Sequence, residues 1–596
     1  MYDDIIKIKS VNVLKGAAMK KNGFSILFPG HVDAEYKQLS QECCHDLGLD
    51  TLCSCISNDV KEQNLIMNVI SNITADPNVA EYRRQVFMDI LRCPKLRTRM
   101  TELFDKLDFI RNFSASRIES DEKLGFWHLM HRLDELNDYI KCVEDMKTCL
   151  EDEKLESEGL KSFLGYIDEL YNEACFAEMK KDIAELKVKA ADIQSVTVGI
   201  NVNDRFEAVS MGLISVNSRQ FRKSNIVSNF ADAIASKGKI NSEAAWDGDM
   251  HYHQVDKLHE HKISNFINNT GGYLALRSTP FVDAKIRATV TQTPDGDGTS
   301  GATFYLDKVL NKMLDSMVKK LRDTLTKYAD IAIVNISQLV PEFIYYIRFA
   351  DFIEQYTEKG FRFCEAEAVS EGTVSMDAKS MYNMKLAVNC EKMDDIVCND
   401  LVFDDKHTIY ILTGANRGGK TTITQAVGIM FVLAQGGICV PADSFRYKPV
   451  DCIYTHFPAD EDKTMDLGRL GEECVRFRDI YSACTKDSLL LLNETFSTTS
   501  FEEGFFIARD SVKAIAQKHT RTIYNTHMHK LAAEADEINQ TAGAAKVSSL
   551  IVKSENGQRS FKVEVGLPEG MSYARDIAEK YGVTFELLTD TEKTTR

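Results

Sequence analysis

The octet Gly414-Ala415-Asn416-Arg417-Gly418-Gly419-Lys420-Thr421 sets a lysine and a hydroxyl at the end of a loop with little side-chain bulk. It fits the pattern G-x-x-x-x-G-K-[ST] at every fixed position. Ile409-Tyr410-Ile411-Leu412 is an apolar β-type run before it, and Thr422 to Leu433 suits a helix after it. Between a strand and a helix, the loop N–H groups and the helix N-terminus face an anion. The expected ligand is ATP, cradled by Gly414, Ala415, Asn416, Arg417, Gly418, Gly419, Lys420, Thr421 and Thr422. Lys420 reaches the β- and γ-phosphates, and the Thr421 hydroxyl ligates Mg²⁺. The bland alternative, a chance glycine-rich turn, does not explain why strand and helix are both in register.

Two more strand ends complete a candidate catalytic set of Glu494, Lys420 and His527. Leu489-Leu490-Leu491-Leu492 reads as a buried strand that ends in Asn493-Glu494. Ligand-binding groups of α/β sheets gather at such carboxyl ends. Glu494 is the carboxylate expected to polarise the attacking water. Asn493 is neutral, so it supports Mg²⁺ indirectly, through a hydrogen bond and without charge. Thr522-Ile523-Tyr524-Asn525-Thr526-His527 is a third apolar strand with a polar end. His527 there senses the nucleotide state, although a lone histidine is more often structural.

The rest of the chain must position these residues. Its 596 residues exceed one ordinary core, and 44% apolar with 27% charged residues mark a folded chain. The fold expected is multidomain: an all-α helical core or lever region followed by an α/β P-loop ATPase domain. Residues 1–45 form a small N-terminal region, 46–395 the helical region, and 396–596 the ATPase domain. Within the helical region, 194–300 carries a β-hairpin and a polar insertion. The stripe Leu310, Leu314, Met317, Leu321, Leu325 and Tyr328 steps by three or four, which reads as core. The start MYDDIIKIKS has no apolar signal core, no run spans a membrane, and the 15 cysteines form no paired framework. Together these place the chain in the cytoplasm.

The stretch ILTGANRGGKTT resembles the nucleotide loop of MutS-type DNA mismatch repair proteins, TGPN-x-GGK-[ST]. LLLLNETFSTTSFEEG is similar to the MutS acidic segment, with Asn493 where Asp is usual. NTHMHKL resembles A-T-H-x-x-E-L, with Lys530 where Glu is usual. GGICVPADSFRYKPVDCIYT and GLPEGMSYARDIAEKYG match further MutS segments, so the resemblance runs in order over about 396–590. It implies an ABC-type ATPase working as a homodimer with composite sites. The partner-facing motif G-R-S-T falls on Gly468-Arg469-Leu470-Gly471, where Leu470 replaces the serine. Backbone N–H groups around Gly468 and Gly471 are then the remaining donors. The mismatch-reading F-x-E element has no counterpart near the start. The expectation is a shortened MutS-like protein that lacks the mismatch-recognition domain.

Weaker constellations remain. His251, His253, His259 and His261, with Asp247 and Asp249, have Zn²⁺-like composition in a polar stretch. Arg92, Lys95, Arg97 and Arg99, and Arg219, Arg222 and Lys223, can touch phosphates, but charge runs are usually solvated faces. The net charge of −17 argues against wide phosphate contact. The leading reading is ATP binding and hydrolysis coupled to DNA binding, with turnover slowed by Asn493. The rival is a nucleotide-dependent dimerisation switch or scaffold acting on a protein or ribonucleoprotein partner, fed by Asn493, Leu470 and the acidic balance.

Overall fold

Residues Leu489 to Leu492 are fully buried. A strand this apolar on both faces must lie inside a parallel sheet covered twice. It does so in the computed structural model. The structure describes residues 25–30, 32, 34–115, 126–191, 195–202, 204–205, 208–217, 315–328, 339–414, 418–458, 468–541, 543–555, 558–568, 579 and 581–588. In chain order the described strands are β1 (Lys37–Gln38), β2 (Asn72–Ile73), β3 (Ser195–Val202), β4 (Ala208–Asn217), β5 (Ala366–Ala368), β6 (Val374–Met381) and β7 (Asn399–Asp404). There follow β8 (Ile409–Thr413), β9 (Ser444–Tyr447), β10 (Ile453–His456), β11 (Leu489–Asn493), β12 (Arg521–Asn525), β13 (Val547–Glu555) and β14 (Gln558–Val565).

One compact unit comprises Met1–Thr98, Glu153–Phe163 and Gln338–Arg596. Its main sheet has the order β10-β11-β12-β8-β13-β14, parallel throughout except for β14. Alternation along β11 divides the core. Leu490 and Leu492 join Ile411 and Tyr524 against the Phe501–Lys518 helix, through Ala508, Val512 and Ile515. On the other face Leu491 meets the Lys420–Gln435 helix at Gly428, where an added Cβ would lie 2.9 Å from the leucine and 2.5 Å from Leu47. A second sheet, β5-β9-β6-β7, stands beside the first. Two of its strands fall before 396, in the stretch whose composition reads as helical. They are short, and their partners β7 and β9 lie downstream, so no local period reveals them. The fold is therefore mixed helical and α/β.

The early residues of this unit wrap the same helix. Asp46 accepts through its backbone oxygen from Gln425 (2.7 Å) and through Oδ2 from Thr455 (2.6 Å). Arg83 donates to Leu27 O (2.9 Å) and to Gln435 O (3.1 Å), at the helix C-terminus. Glu342, fully buried, accepts from Ser25 Oγ (2.9 Å), Ile26 N (2.8 Å) and Leu27 N (3.2 Å), and burial pushes its acid up to about 7.

The second unit comprises Arg99–Asp152 and Leu164–Ser337. The helices Phe126–Glu151, Ala174–Ala191 and Asp315–Thr326 bury Tyr139, Met146, Met179, Ile183, Leu321 and Leu325. Tyr328 donates to Asp182 at 2.9 Å. The strands β3 and β4 form an antiparallel hairpin. Of the apolar stripe, Leu321, Leu325 and Tyr328 are core. Leu310, Leu314 and the Met317 side chain lie outside the described residues, as do His251 to His261, Arg219, Arg222, Lys223 and the loop 292–301. Among the described residues no helix is long and apolar enough to cross a membrane. All 15 cysteines are free thiols.

Candidate active site

Strands β8, β11 and β12 run in parallel, so their carboxyl ends bring Gly414, Asn493 and His527 to one edge. After β8 the chain turns through Gly414 at φ +146°. A side chain there would meet Val552 Cβ at 2.9 Å, so only glycine passes. Ala415, Asn416 and Arg417 lie outside the described residues. Gly419, at φ +89°, then caps the Lys420–Gln435 helix. Gly418 and Lys420 are buried, Thr422 is half-buried, and Thr421 is exposed.

Lys420 opens the helix, and its Nζ donates to Gly414 O at 3.1 Å. Burial lowers its pKa, and the charge of Glu494 opposes that shift. A half-desolvated ammonium beside a helix N-terminus is a strong point charge for an anion. Thr421 Oγ1 donates to Asn493 Oδ1 at 3.1 Å and accepts from Asn525 Nδ2 at 3.4 Å, which leaves one lone pair for a further partner. Among the described residues no three His, Cys, Asp or Glu side chains gather to hold a metal. The Thr421 hydroxyl and the Asn493 amide oxygen are the groups that could help hold Mg²⁺ carried in with a nucleotide.

Glu494 sits at φ +52°, a left-handed conformation that costs a non-glycine residue energy and is found where function demands an orientation. Its N–H donates to Asn525 O at 2.9 Å, which fixes the turn. Its carboxylate lies 2.9 Å from His527 Nε2. Thr526 N donates to Leu412 O at 3.0 Å and so ties this end of β12 to β8. The structure therefore assembles Lys420, Thr421, Asn493, Glu494 and His527 on one edge.

The Gly468–Ala483 helix behaves differently. It begins at Gly468, exposed and at φ +70°, while Leu470 packs on the apolar core. Asp466 and Leu467 lie outside the described residues. Lys530 lies over the Phe505 ring at 4.4 Å. The basic run at 92–99 is largely paired. Arg92 meets Glu156 (2.9 Å), Arg99 meets Asp152 (3.3 Å), and Arg97 is buried against Asp351 (3.2 Å) and Glu354.

Three features carry little or no signal in sequence. Asn525 bonds Asn493, an adjacency that only the parallel register creates. His529 lies close enough to His527 and Lys420 for their charges to depress it, after burial as the main cause. His456 bonds Thr495 Oγ1 (3.0 Å) and Glu473 O (3.3 Å), and burial brings its pKa down to about 4, with Arg476 adding to the shift. A second histidine in N-T-H-M-H was the one sequence cue available.

A parallel sheet with a lysine-led helix at its carboxyl edge is the class of α/β protein defined here. The chain is a MutS-family protein. Residues 410–595 match the model for MutS domain V, and 75–359 match that for the MutS2 N-terminal domain. It is 29% identical over 197 residues to "DNA mismatch repair protein MutS" of Leuconostoc citreum, covering 33% of this chain and 22% of that protein. It is 32% identical over 139 residues to the MutS of Staphylococcus epidermidis, covering 23% and 16%. It is 27% identical over 198 residues to "Endonuclease MutS2" of Thermus thermophilus, covering 33% and 26%. The chain thus spans about a quarter or less of the length of these relatives.

Proposed function

We propose that residues 396–596 bind ATP with Mg²⁺ and hydrolyse it, and that the upstream helical region couples nucleotide state to DNA binding. One observation carries this reading. The buried Lys420 opens the helix beside Gly414, with Thr421–Asn493 and Glu494–His527 paired along the same strand ends. Gly414 to Thr422 cradle the phosphates. Lys420 neutralises charge that develops on the transferred phosphoryl group. Glu494 orients the attacking water and takes its proton, and His527, 2.9 Å away, links that carboxylate to the γ-phosphate position. Mg²⁺, when bound with the nucleotide, spreads the remaining phosphate charge.

DNA is the proposed partner because the relatives are named for DNA mismatch repair. The working form is a homodimer in the cytoplasm, the compartment that 15 free thiols suit. A slow-turnover switch acting on a protein or ribonucleoprotein is the second reading. It is favoured by Leu470, which packs inward where a phosphate-bonding serine is expected, and by the uncharged Asn493. The test is steady-state ATP hydrolysis by wild type and Lys420→Ala, with and without duplex DNA. Turnover that disappears in the variant and changes with DNA supports the first reading. Tight ATP binding with no turnover under any condition favours the second. Equal turnover in both proteins removes Lys420 from the site.

A further inference from the structure

Asn493 and Asn525 stand side by side in register at the ends of β11 and β12. Asn493 Oδ1 accepts from two donors, Thr421 Oγ1 at 3.1 Å and Asn525 Nδ2. Asn525 is fully buried, and its Nδ2 also donates to Thr421 Oγ1 at 3.4 Å, which takes one of that hydroxyl's two lone pairs. Its own Oδ1 is buried without a hydrogen-bond partner. The orientation of Asn525 is therefore set by what its NH₂ gives, since its oxygen receives nothing.

A carboxylate at 493 would show Thr421 an oxygen whichever way it turned. A carboxamide does not, because a half-turn about its last bond exchanges Oδ1 for an NH₂. In the turned state the amide of residue 493 would donate to the Thr421 hydroxyl and occupy one of its lone pairs. With the other lone pair taken by Asn525, none would remain for a nucleotide-bound cation. The turned state would also set two NH₂ groups against each other in a buried place, leaving donors unpaired.

We propose that Asn525 is a positioning residue that locks Asn493 with its oxygen toward Thr421, so that one Thr421 lone pair stays free for nucleotide-bound Mg²⁺. Asn525 is then needed only because residue 493 is an amide. This rests on the reading of the site as one for Mg²⁺ and ATP.

The test is a double-mutant cycle in the full-length chain. Affinity for a fluorescent ATP analogue is measured with saturating Mg²⁺ and in EDTA, and the ratio is the gain from Mg²⁺. Asn525→Ala in the Asn493 background lowers that gain about threefold to tenfold, the worth of one buried hydrogen bond. In the Asn493→Asp background, where both oxygens are equivalent, Asn525→Ala leaves the gain unchanged. Asn525→Leu keeps the volume without the donor and gives the same pattern if the alanine variant is poorly folded. An equal loss in both backgrounds makes Asn525 merely structural and overturns the proposal, as does no loss in either. A wild type that binds the analogue with no gain from Mg²⁺ overturns this inference alone. A wild type that binds no analogue overturns the site reading and this inference together.

Discussion

Glu342 and His456 are both buried, and burial shifts them in opposite senses of stability. Glu342 titrates near 7 in the fold against an ordinary 4.5. The folded chain then holds a proton that the unfolded chain has released between about pH 4.5 and 7, so stability falls as pH rises through that window. His456 titrates near 4 against an ordinary 6.5. Here the unfolded chain holds the extra proton, so stability rises with pH from about 4 to 6.5. Each shift is about 2.5 units, or about 3 kcal/mol at 1.36 kcal/mol per unit. The two nearly cancel over their common window, and single substitutions should unmask each slope. Relative to wild type, Glu342→Gln gains about 3 kcal/mol on going from pH 4.5 to 7. His456→Gln loses a similar amount relative to wild type from pH 4 to 6.5. Urea denaturation at half-unit pH steps, fitted with a common m-value, reads both. If either difference from wild type is flat across its window, burial does not govern that group and the reasoning fails.

Other outcomes follow from the site and its support. Glu494→Gln should lower single-turnover hydrolysis roughly 10²- to 10⁴-fold while nucleotide binding by fluorescence survives; unchanged turnover would remove Glu494 as the base. Leu470→Ser should lower the melting temperature without raising ATPase activity, because the side chain faces core. A faster enzyme of unchanged stability would instead make residue 470 part of a site completed by a second copy. Gly428→Ala should cost about 1–3 kcal/mol by overpacking against Leu47 and Leu491, more than the roughly 1 kcal/mol that alanine returns in helix propensity, as read by urea titration.

The parts of this site that sequence revealed are those fixed within a dozen residues. The run Ile409 to Leu412, the glycines and the helix after Lys420 are local, and strand and helix lie there. Leu489 to Leu492 could only be a doubly covered strand, which placed Asn493 and Glu494 at its end. Asn525 carries no local signal, because its meaning comes from a register 32 residues away. The pairing of Arg97 with Asp351 and Glu354 was equally hidden, since those acids lie far along the chain. The helical stretch 46–360 carries no motif of its own, yet 75–359 matches a whole-domain family model. A pattern spread over many weak positions is legible only in aggregate.

The Lys420–Gln435 helix is buried along nearly its whole length, and part of its cover comes from far upstream in sequence. Leu47 fills the notch at Gly428, Asp46 bonds Gln425, and Arg83 closes the last turn. A fragment cut at 396 would keep the phosphate loop but strip one wall from the helix that carries it. The proposed nucleotide-binding part is therefore not a cassette. Residues 25–98 brace its central helix, and a change among them, distant from the loop at Gly414, is expected to weaken the proposed nucleotide binding.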